Sequence, residues 1–559
     1  MLLDSGAARL WHAGARGPCM RQGKTNVRPC LQAGRACLFA FILVAAGAAH
    51  GENRMDQIVK RGVLVVGVKT DYPPFGMLSA DATLHGFEHD LAQDLAHRLG
   101  VVLHKVAVTG ANRMQVLDEG RIDVMIATLG DTYERRQIAD LVEPNYYSSG
   151  VTLMTRPDSK LSAWADLRGQ KVCATQGSYF NRAMATRYLL DLQVFPSGRD
   201  AKLGVRDGRC AGWLFDNTAI AGDLLSSEWK GYKSTLPPQL LTPWAIAIAR
   251  SEKGGALEMF IGDTVADWHR QGVLLGLEKK WQMPPSVFLA EMYALWNKKD
   301  EKGAFICRRL ANGQWPLACR NPVFITSTET TGLQQWGLRL KEKTGINLTF
   351  VYDEYERDQF LRALCITLAL TVSCVFGSLA SGVALALAVE RKILLLSRFL
   401  KGLALIGRLT PPLLQIYVLV FGIGGLLAAS WGVQLNSFLV VVLCLCWYTG
   451  SCLLHILENA GDKERLRNPG FRLTFDTLRP LVSRCSTSIL ACLVNVTKAT
   501  MMASAVAVPE LLSVSTSIIA EHGAVATVMN TLMLLFLLLV FVVLRVLQWM
   551  EQRWCRGID

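Results

Sequence analysis

Residues Ile122–Arg136 read IDVMIATLGDTYERR. Val124, Met125 and Ile126 form an apolar run of strand type, Thr128 to Thr132 a turn of small and polar residues, and Arg135 a fixed positive charge just beyond it. That order suits the capture of a carboxylate. Hydroxyls and free backbone N–H groups at a strand end approach an anion closely, and an arginine grips both carboxylate oxygens through two parallel charge-assisted bonds. Taken alone the stretch also reads as an ordinary strand-to-helix turn with a solvated arginine, so its neighbours decide.

Upstream, Val63 to Val68 is a strand of buried type, and Phe87, Leu91, Leu95 and Leu99 recur every four residues, a helix stripe that Gly100 ends. Val101 to Val108 predicts a second strand, and the region of Met114 to Leu117 a second helix ending near Gly120. Strands alternating with helices imply a doubly wound, largely parallel sheet with its ligand beyond the carboxyl ends of the strands, where Thr128 falls.

The whole chain has 559 residues, enough for two or three folding units. Its mean hydropathy of +0.26 hides a division. Up to about Tyr355 the charges are mixed, whereas Phe360 to Arg545 is dominated by apolar runs of membrane length. The net charge of +13 sits mostly in the leader and in short loops between apolar runs, which reads as a topology signal and not as a nucleic-acid footprint. Of the fifteen cysteines, Cys19, Cys30 and Cys37 lie in the leader and seven lie in or beside apolar runs; no spacing reads as a zinc site. Cys307 and Cys319 flank a polar segment and read either as a disulfide or as two unpaired thiols.

Residues 1–50 read as an export signal: a basic region with Arg9, Arg16, Arg21, Lys24, Arg28 and Arg35, a short apolar core from Cys37, and small residues at Ala46 and Ala48. The leader is long enough that translation from Met20 fits as well, and an uncleaved anchor is the competing reading.

The runs LVVGVKTDYPPF (Leu64 to Phe75), GFEHDLAQDLAHRLG (Gly86 to Gly100), ANRMQVLDEGRIDVMIA (Ala111 to Ala127), TYERR (Thr132 to Arg136), DLRGQKVCATQGS (Asp166 to Ser178) and GVLLGLEKKW (Gly272 to Trp281) together resemble the polar amino-acid-binding receptors of ABC importers. The resemblance covers about Arg61 to Trp281 in correct order. It implies an α/β bilobed periplasmic-binding-protein fold of type II, with crossings near Tyr147 to Thr155 and Pro243 to Arg250 and an amino acid enclosed between the lobes. It maps Tyr72 onto the aromatic covering the ligand, Thr128 and Gly130 onto the groups near the carboxylate, and Arg135 onto its clamp. Ser178 matches the second-lobe donor and Asp216 the acceptor for the α-ammonium. A zwitterion needs one buried cation and one buried anion, since an unpaired charge in a closed cleft costs several kcal/mol. Plainer roles exist for each: Tyr72 packing on Pro73 and Pro74, Ser178 and Asp216 capping helices. Gly130 stands where relatives often have a hydroxyl, which shifts the carboxylate onto backbone N–H groups.

The organisation expected is therefore a receptor domain at residues 55–285, a tether at 286–358 with a helix over Val287 to Trp296, an all-α membrane domain of about five transmembrane helices at 359–550, and a cytoplasmic tail at 551–559. Cys365 to Val389 is the first span, and the uncharged stretch between Arg408 and Glu458, broken at Trp431 to Asn436, holds two. A fourth begins near Cys485 and the fifth covers Gly523 to Leu544. The connections 391–401 and 463–484 and the segment after Arg545 are basic, while those near 428–436 and 509–523 carry no Lys or Arg. The positive-inside rule then places the receptor outside and the C-terminus in the cytoplasm.

RLTPPLLQIYVLVFG (Arg408 to Gly422) and NVTKATMMASAVAVPELL (Asn495 to Leu512) resemble the permease subunits of the same importers. That likeness marks Arg408, Thr410, Pro411, Gln415, Lys498, Thr500 and Glu510 as permease-motif positions. A lysine inside a membrane usually faces a cavity or partner, although Lys498 snorkelling to an interface is the alternative. The loop Glu458 to Arg484 departs from the family, since it lacks the glutamate, alanine and glycine pattern of the ATPase-docking helix and keeps only FDTLRP at Phe475 to Pro480. No GxxxxGK[ST] phosphate loop occurs, so ATP and Mg would belong to a separate cytoplasmic ABC ATPase, and no cofactor, metal or catalytic residue is expected on this chain. The resemblance implies an importer component in a bacterial inner membrane for a polar amino acid, working with that ATPase and as a homodimer or beside a second permease. The readings set against it are an amino-acid-gated sensor or channel with a degenerate permease domain, and a periplasmic dehydratase on the same bilobed fold.

Overall fold

The computed structural model describes residues 53–79, 81–320, 332–391 and 394–555. The expected export signal, with its start and cleavage site, lies outside the described residues, as do the last four residues of the expected tail.

Strands β1 (Val63–Val68), β2 (Asp71–Tyr72), β3 (Gly76–Leu78), β4 (Leu84–His85), β5 (Val102–Ala107), β6 (Val124–Ile126), β7 (Ala139–Thr155), β8 (Lys171–Thr175), β9 (Asp191–Phe195), β10 (Gly212–Asp216) and β11 (Gln239–Ala249) build two sheets. β2, β3 and β4 form a small one; the other eight follow the order β5-β1-β6-β11-β7-β10-β8-β9. β1 is parallel to β5 and β6 in one lobe, and β8 is parallel to β9 and β10 in the other. β7 and β11 run antiparallel to each other through both lobes and are the two expected crossings, β7 starting earlier than expected, at Ala139. Register breaks between Gln239 and Thr242 and between Trp244 and Ile246 place irregular backbone where the crossings pass from one lobe to the other. The architecture is thus the type II bilobed one.

Local chemistry accounts for the elements. Helix α1 (Phe87–Leu99) buries Phe87, Leu91 and Leu95 completely against the sheet. Burial of such side chains stabilises by roughly 1.5–3 kcal/mol each. Gly100 ends the helix at φ 68°, its N–H donating to the carbonyls of Ala96 and His97, a conformation that favours glycine. Helix α2 (Arg113–Asp118) is followed in the same way by Gly120 at φ 66°.

The expected tether requires correction at its start. Helix α3 (Val287–Trp296) buries Leu289 and Trp296 on the receptor. Trp315 meets Trp296 edge-on at 4.8 Å between centroids and donates from Nε1 to the Glu143 carbonyl at 3.0 Å. Arg320 pairs with Glu143 at 2.9 Å, and Cys307 is bonded to Cys319. Two tryptophans and a disulfide supply the apolar area that a polar composition conceals, so residues 287–320 belong to the receptor body. A second disulfide, Cys173–Cys210, ties β8 to the turn before β10 and was not anticipated.

The remainder is helical: α4 (Glu354–Glu390), α5 (Leu394–Leu409), α6 (Ser437–Arg467), α7 (Phe475–Ala499), α8 (Leu511–His522) and α9 (Val525–Cys555), with shorter pieces between α5 and α6. Among the described residues four helices are long and apolar enough to cross a membrane, and a fifth span counts only if 395–409 and 412–428, bent by 106°, are taken as one. The second expected span, after Arg408, is therefore one arm of a bent pair whose other arm, 395–409, was expected as part of the basic connection. Pro411 and Pro412 interrupt the helix, and Gln415 Nε2 donates to the carbonyls of Gly407 at 2.7 Å and Thr410 at 3.0 Å, satisfying groups that the prolines leave without a donor.

Candidate functional site

After β6 the chain turns sharply. Thr128 sits at φ 46°, a strained conformation for a β-branched residue, and is held from both sides. Its N–H donates to Glu88 Oε1 at 2.6 Å, and its carbonyl accepts from Arg113 Nη1 at 3.0 Å. Gly130 bridges to Trp244 on β11, and a Cβ there would lie 2.9 Å from the Tyr179 ring of the other lobe. Closure of the lobes thus accounts for a glycine at this position.

Arg135 is 2% exposed and spans the two lobes. Its Nη1 donates to the Gly130 carbonyl and its Nη2 to the Gly177 carbonyl, both at 3.0 Å, with the guanidinium 5.6 Å over the Tyr179 ring. It forms no ion pair with any described residue. Burial, reinforced by the neighbouring Arg113 charge, pushes this guanidinium down to about 9.

Asp216 closes β10 from the second lobe, 5% exposed. It makes no side-chain cap to the helix that follows, so the capping role is excluded, and its Oδ1 is buried without a partner. Burial pushes its carboxyl up to about 6, opposed by Tyr72, Arg113, Arg135 and Lys69. Tyr72 lies under Phe215, Phe75 and Trp244 with its hydroxyl 3.4 Å from Thr218 Oγ1, and burial followed by the Asp216 charge holds that phenol well above its usual value. Of the six expected residues, Tyr72, Thr128, Gly130, Arg135 and Asp216 meet at the closed cleft. Ser178 does not face it in the same way: it lines a cavity toward α8, beside Asn181 and Glu521.

Three cleft residues were not foreseen. Arg113, 4% exposed, donates to the carbonyls of Ala127, Thr128 and Gly177, a second cation across the same seam. Glu88 is fully buried, accepts from Thr128 N–H and the Tyr146 hydroxyl, and is pushed up to about 7 by burial. Tyr179 lies between Gly130 and Arg135, its hydroxyl buried and unpartnered. Glu88 was legible as a carboxylate on the stripe of Leu91 and Leu95, and Arg113 as a charge beside Met114 on a buried face; Tyr179 left no signal in the sequence.

In the helical region, Arg408 lines a small cavity with Lys401, Ser451, His455 and Glu458. Lys498 is exposed on α7, Thr500 is buried with its hydroxyl donating to the Thr497 carbonyl at 2.8 Å, and Glu510 is buried at the start of α8, accepting from the N–H groups of Leu512 and Ser513. Receptor and helices meet directly. Gln176 Nε2 donates to the Ser513 carbonyl at 2.9 Å and the Thr516 hydroxyl at 2.5 Å, and Arg209 donates to the Ser437 hydroxyl at 2.5 Å and the Val506 carbonyl at 3.1 Å.

Residues 64–284 match the model of bacterial extracellular solute-binding proteins, family 3. The chain is similar to the L-cystine-binding protein TcyJ of Escherichia coli strain K12, 28% identical over 264 residues, 44% of this chain and 95% of that one. It is 27% identical over 260 residues to the ABC transporter glutamine-binding protein GlnH of Bacillus subtilis, 44% of this chain and 93% of that one. A shorter match, 33% identical over 120 residues, 22% of this chain and 44% of the other, is to the cyclohexadienyl dehydratase of Pseudomonas aeruginosa. Among solved structures, holo ArgBP from T. maritima matches at 25% identity and a TM-score of 0.37, covering 41% of this chain and 99% of that one. Residues 64–284 are thus a region similar to the bacterial extracellular solute-binding proteins, family 3, followed by a helical region whose apolar helices are long enough to cross a membrane.

Proposed function

We propose that this chain is the substrate-binding and permease component of an ABC importer for a polar amino acid or similar small zwitterion, with the ATPase on a separate chain and a homodimer or second permease completing the pathway. One observation carries the ligand class. Buried polar atoms without partners come from both lobes, Arg113 Nε and Glu88 Oε2 from one, Asp216 Oδ1 and the Tyr179 hydroxyl from the other, around an Arg135 that forms no ion pair with any described residue. Unpaired buried groups of both signs cost free energy that an enclosed ammonium and carboxylate would recover. The names of the relatives, which bind cystine and glutamine, support the same class.

The placement outside the bacterial inner membrane draws support from the contacts. The two connections free of Lys and Arg are those that touch the receptor: Gln434 reaches the Gly208 carbonyl, and α8 receives Gln176. The test of the receptor reading is calorimetric titration of the full chain in detergent with single amino acids at two pH values. Asp216 ionises at about 6, so its carboxylate is available to an ammonium above that pH and is neutralised below it. Affinity should therefore be full at about pH 7.5 and fall about tenfold by about pH 5.

A second reading, an amino-acid-gated sensor with a degenerate permease domain, is favoured by one feature. α6 runs on to Arg467 and α7 begins at Phe475, and residues 468–474 between them form no helix that an ATPase could receive. Co-purification separates the two. An importer should bring down an ABC ATPase whose hydrolysis rises when amino acid is added, whereas a ligand-binding chain that recruits none is a sensor.

A further inference from the structure

Gly177 borders two spaces. Its carbonyl accepts from Arg135 and Arg113 in the cleft, and on its other side opens a cavity of about 660 Å3 between the second lobe and the helices. Ser178, Asn181 and Arg182 line this cavity from the receptor, and Glu356, Arg362 and Glu521 from α4 and α8. Gln176, bonded to α8 one residue before Gly177, fixes the two spaces side by side.

The charges around the cavity are incompletely matched. Arg182 pairs with Asp353 at 3.1 Å and lies 4.0 Å from Glu356, which also accepts from His522 at 3.4 Å. Glu521, with its carboxylate within 4.8 Å of the Glu356 and His522 ligand atoms, forms no ion pair with any described residue. Arg362 on the α4 side is exposed and has no carboxylate partner among the described residues, which leaves it free to meet a ligand carboxylate. Asn181 spends its amide on the Thr175 carbonyl at 2.9 Å, which leaves its side-chain oxygen buried and unpartnered. Glu521, the free Asn181 oxygen, Arg362 and Ser178 all line the one cavity, a set that complements an ammonium and a carboxylate, and the volume accommodates an amino acid. A metal ion is the poorer occupant, because Arg182 and His522 already hold the Glu356 carboxylate.

We propose that this cavity is a second amino-acid-binding site, in which Glu521 takes the ammonium and Arg362 the carboxylate of the zwitterion leaving the cleft. The proposal rests on the cleft itself binding an amino acid. It gives the departing ligand an intermediate station between receptor and helices, so that opening of the lobes does not release it to bulk solvent.

The test is equilibrium dialysis of the full chain in detergent against the standard amino acids and L-cystine, each radiolabelled. Two binding events of unequal affinity are expected for at least one of them. Glu521→Gln and Arg362→Gln should weaken the looser event about tenfold or more, Arg362→Gln leaving the tighter one unchanged, while Asp216→Ala should weaken the tighter event and leave the looser one unchanged. A single event that Asp216→Ala removes entirely, or two events that both ignore Glu521→Gln and Arg362→Gln, would overturn the second site and leave the receptor reading standing. Failure of every amino acid to bind would overturn both.

Discussion

Asp216→Ala weakens amino-acid binding by at least ~2 kcal/mol, about thirtyfold, and Arg135→Ala does the same. Each removal leaves one charge of an enclosed zwitterion without its counterpart. The two losses differ in kind. Asp216 makes no helix cap and its Oδ1 has no partner, so its replacement by alanine breaks no capping bond and leaves the fold intact. Arg135 also ties the lobes, through the carbonyls of Gly130 and Gly177, so its loss should weaken closure as well as the carboxylate clamp. Arg135→Lys separates these contributions, since an ammonium keeps the charge but cannot donate to two carbonyls and a carboxylate in one plane. Titration calorimetry on the three variants decides the matter: near-native affinity in both alanine variants removes Arg135 and Asp216 from the site.

How far the cleft was legible follows from where its signals lie. Arg135 and Thr128 stand in a short strand-to-turn run, so sequence distance and spatial distance coincide there. Asp216 belongs to a strand from the other lobe and became visible only through its place after WLF in an ordered set of motifs. Tyr179 was missed because its role depends on lobe closure, which brings its ring against Gly130 and Arg135 from the turn after β8. Ser178 shows the converse: its neighbour Gly177 joins the cleft through a carbonyl, which any residue type offers, while Ser178 lines the cavity beside the helices. Helix ends at Gly100 and Gly120 were readable from local stereochemistry alone. The 106° break at the start of the second expected span was not, because a Pro-Pro step beside an apolar run reads as a span until Gln415 is seen capping the carbonyls before it. Burial of residues 287–320 depends on Trp315 reaching Glu143, a contact across 172 positions.

Trp244→Ala should cost the receptor domain about 3–5 kcal/mol, the usual range for deleting a buried aromatic. Trp244 is fully buried on β11 between the two register breaks, with its ring 4.8 Å from Phe75, 5.6 Å from Tyr147 and 5.8 Å from Tyr72. These partners come from the first lobe and from the opposing crossing strand, so the indole fills the point where the crossings meet the ligand-covering tyrosine. Its removal leaves a cavity that neither strand can close without shifting the pairing on either side, and Tyr72 loses one wall of its pocket. The unfolding midpoint of the receptor domain should fall on the order of 10 °C in a thermal melt followed by intrinsic fluorescence. Trp244→Phe, which keeps an aromatic filler, should recover most of that fall and most of the affinity, whereas Asp216→Ala should lose affinity with little change in the melt. Equal melts for Trp244→Ala and the native chain would show that the crossing strands are held by their backbone ladder alone, and that the aromatic cluster around Tyr72 does not position the cleft.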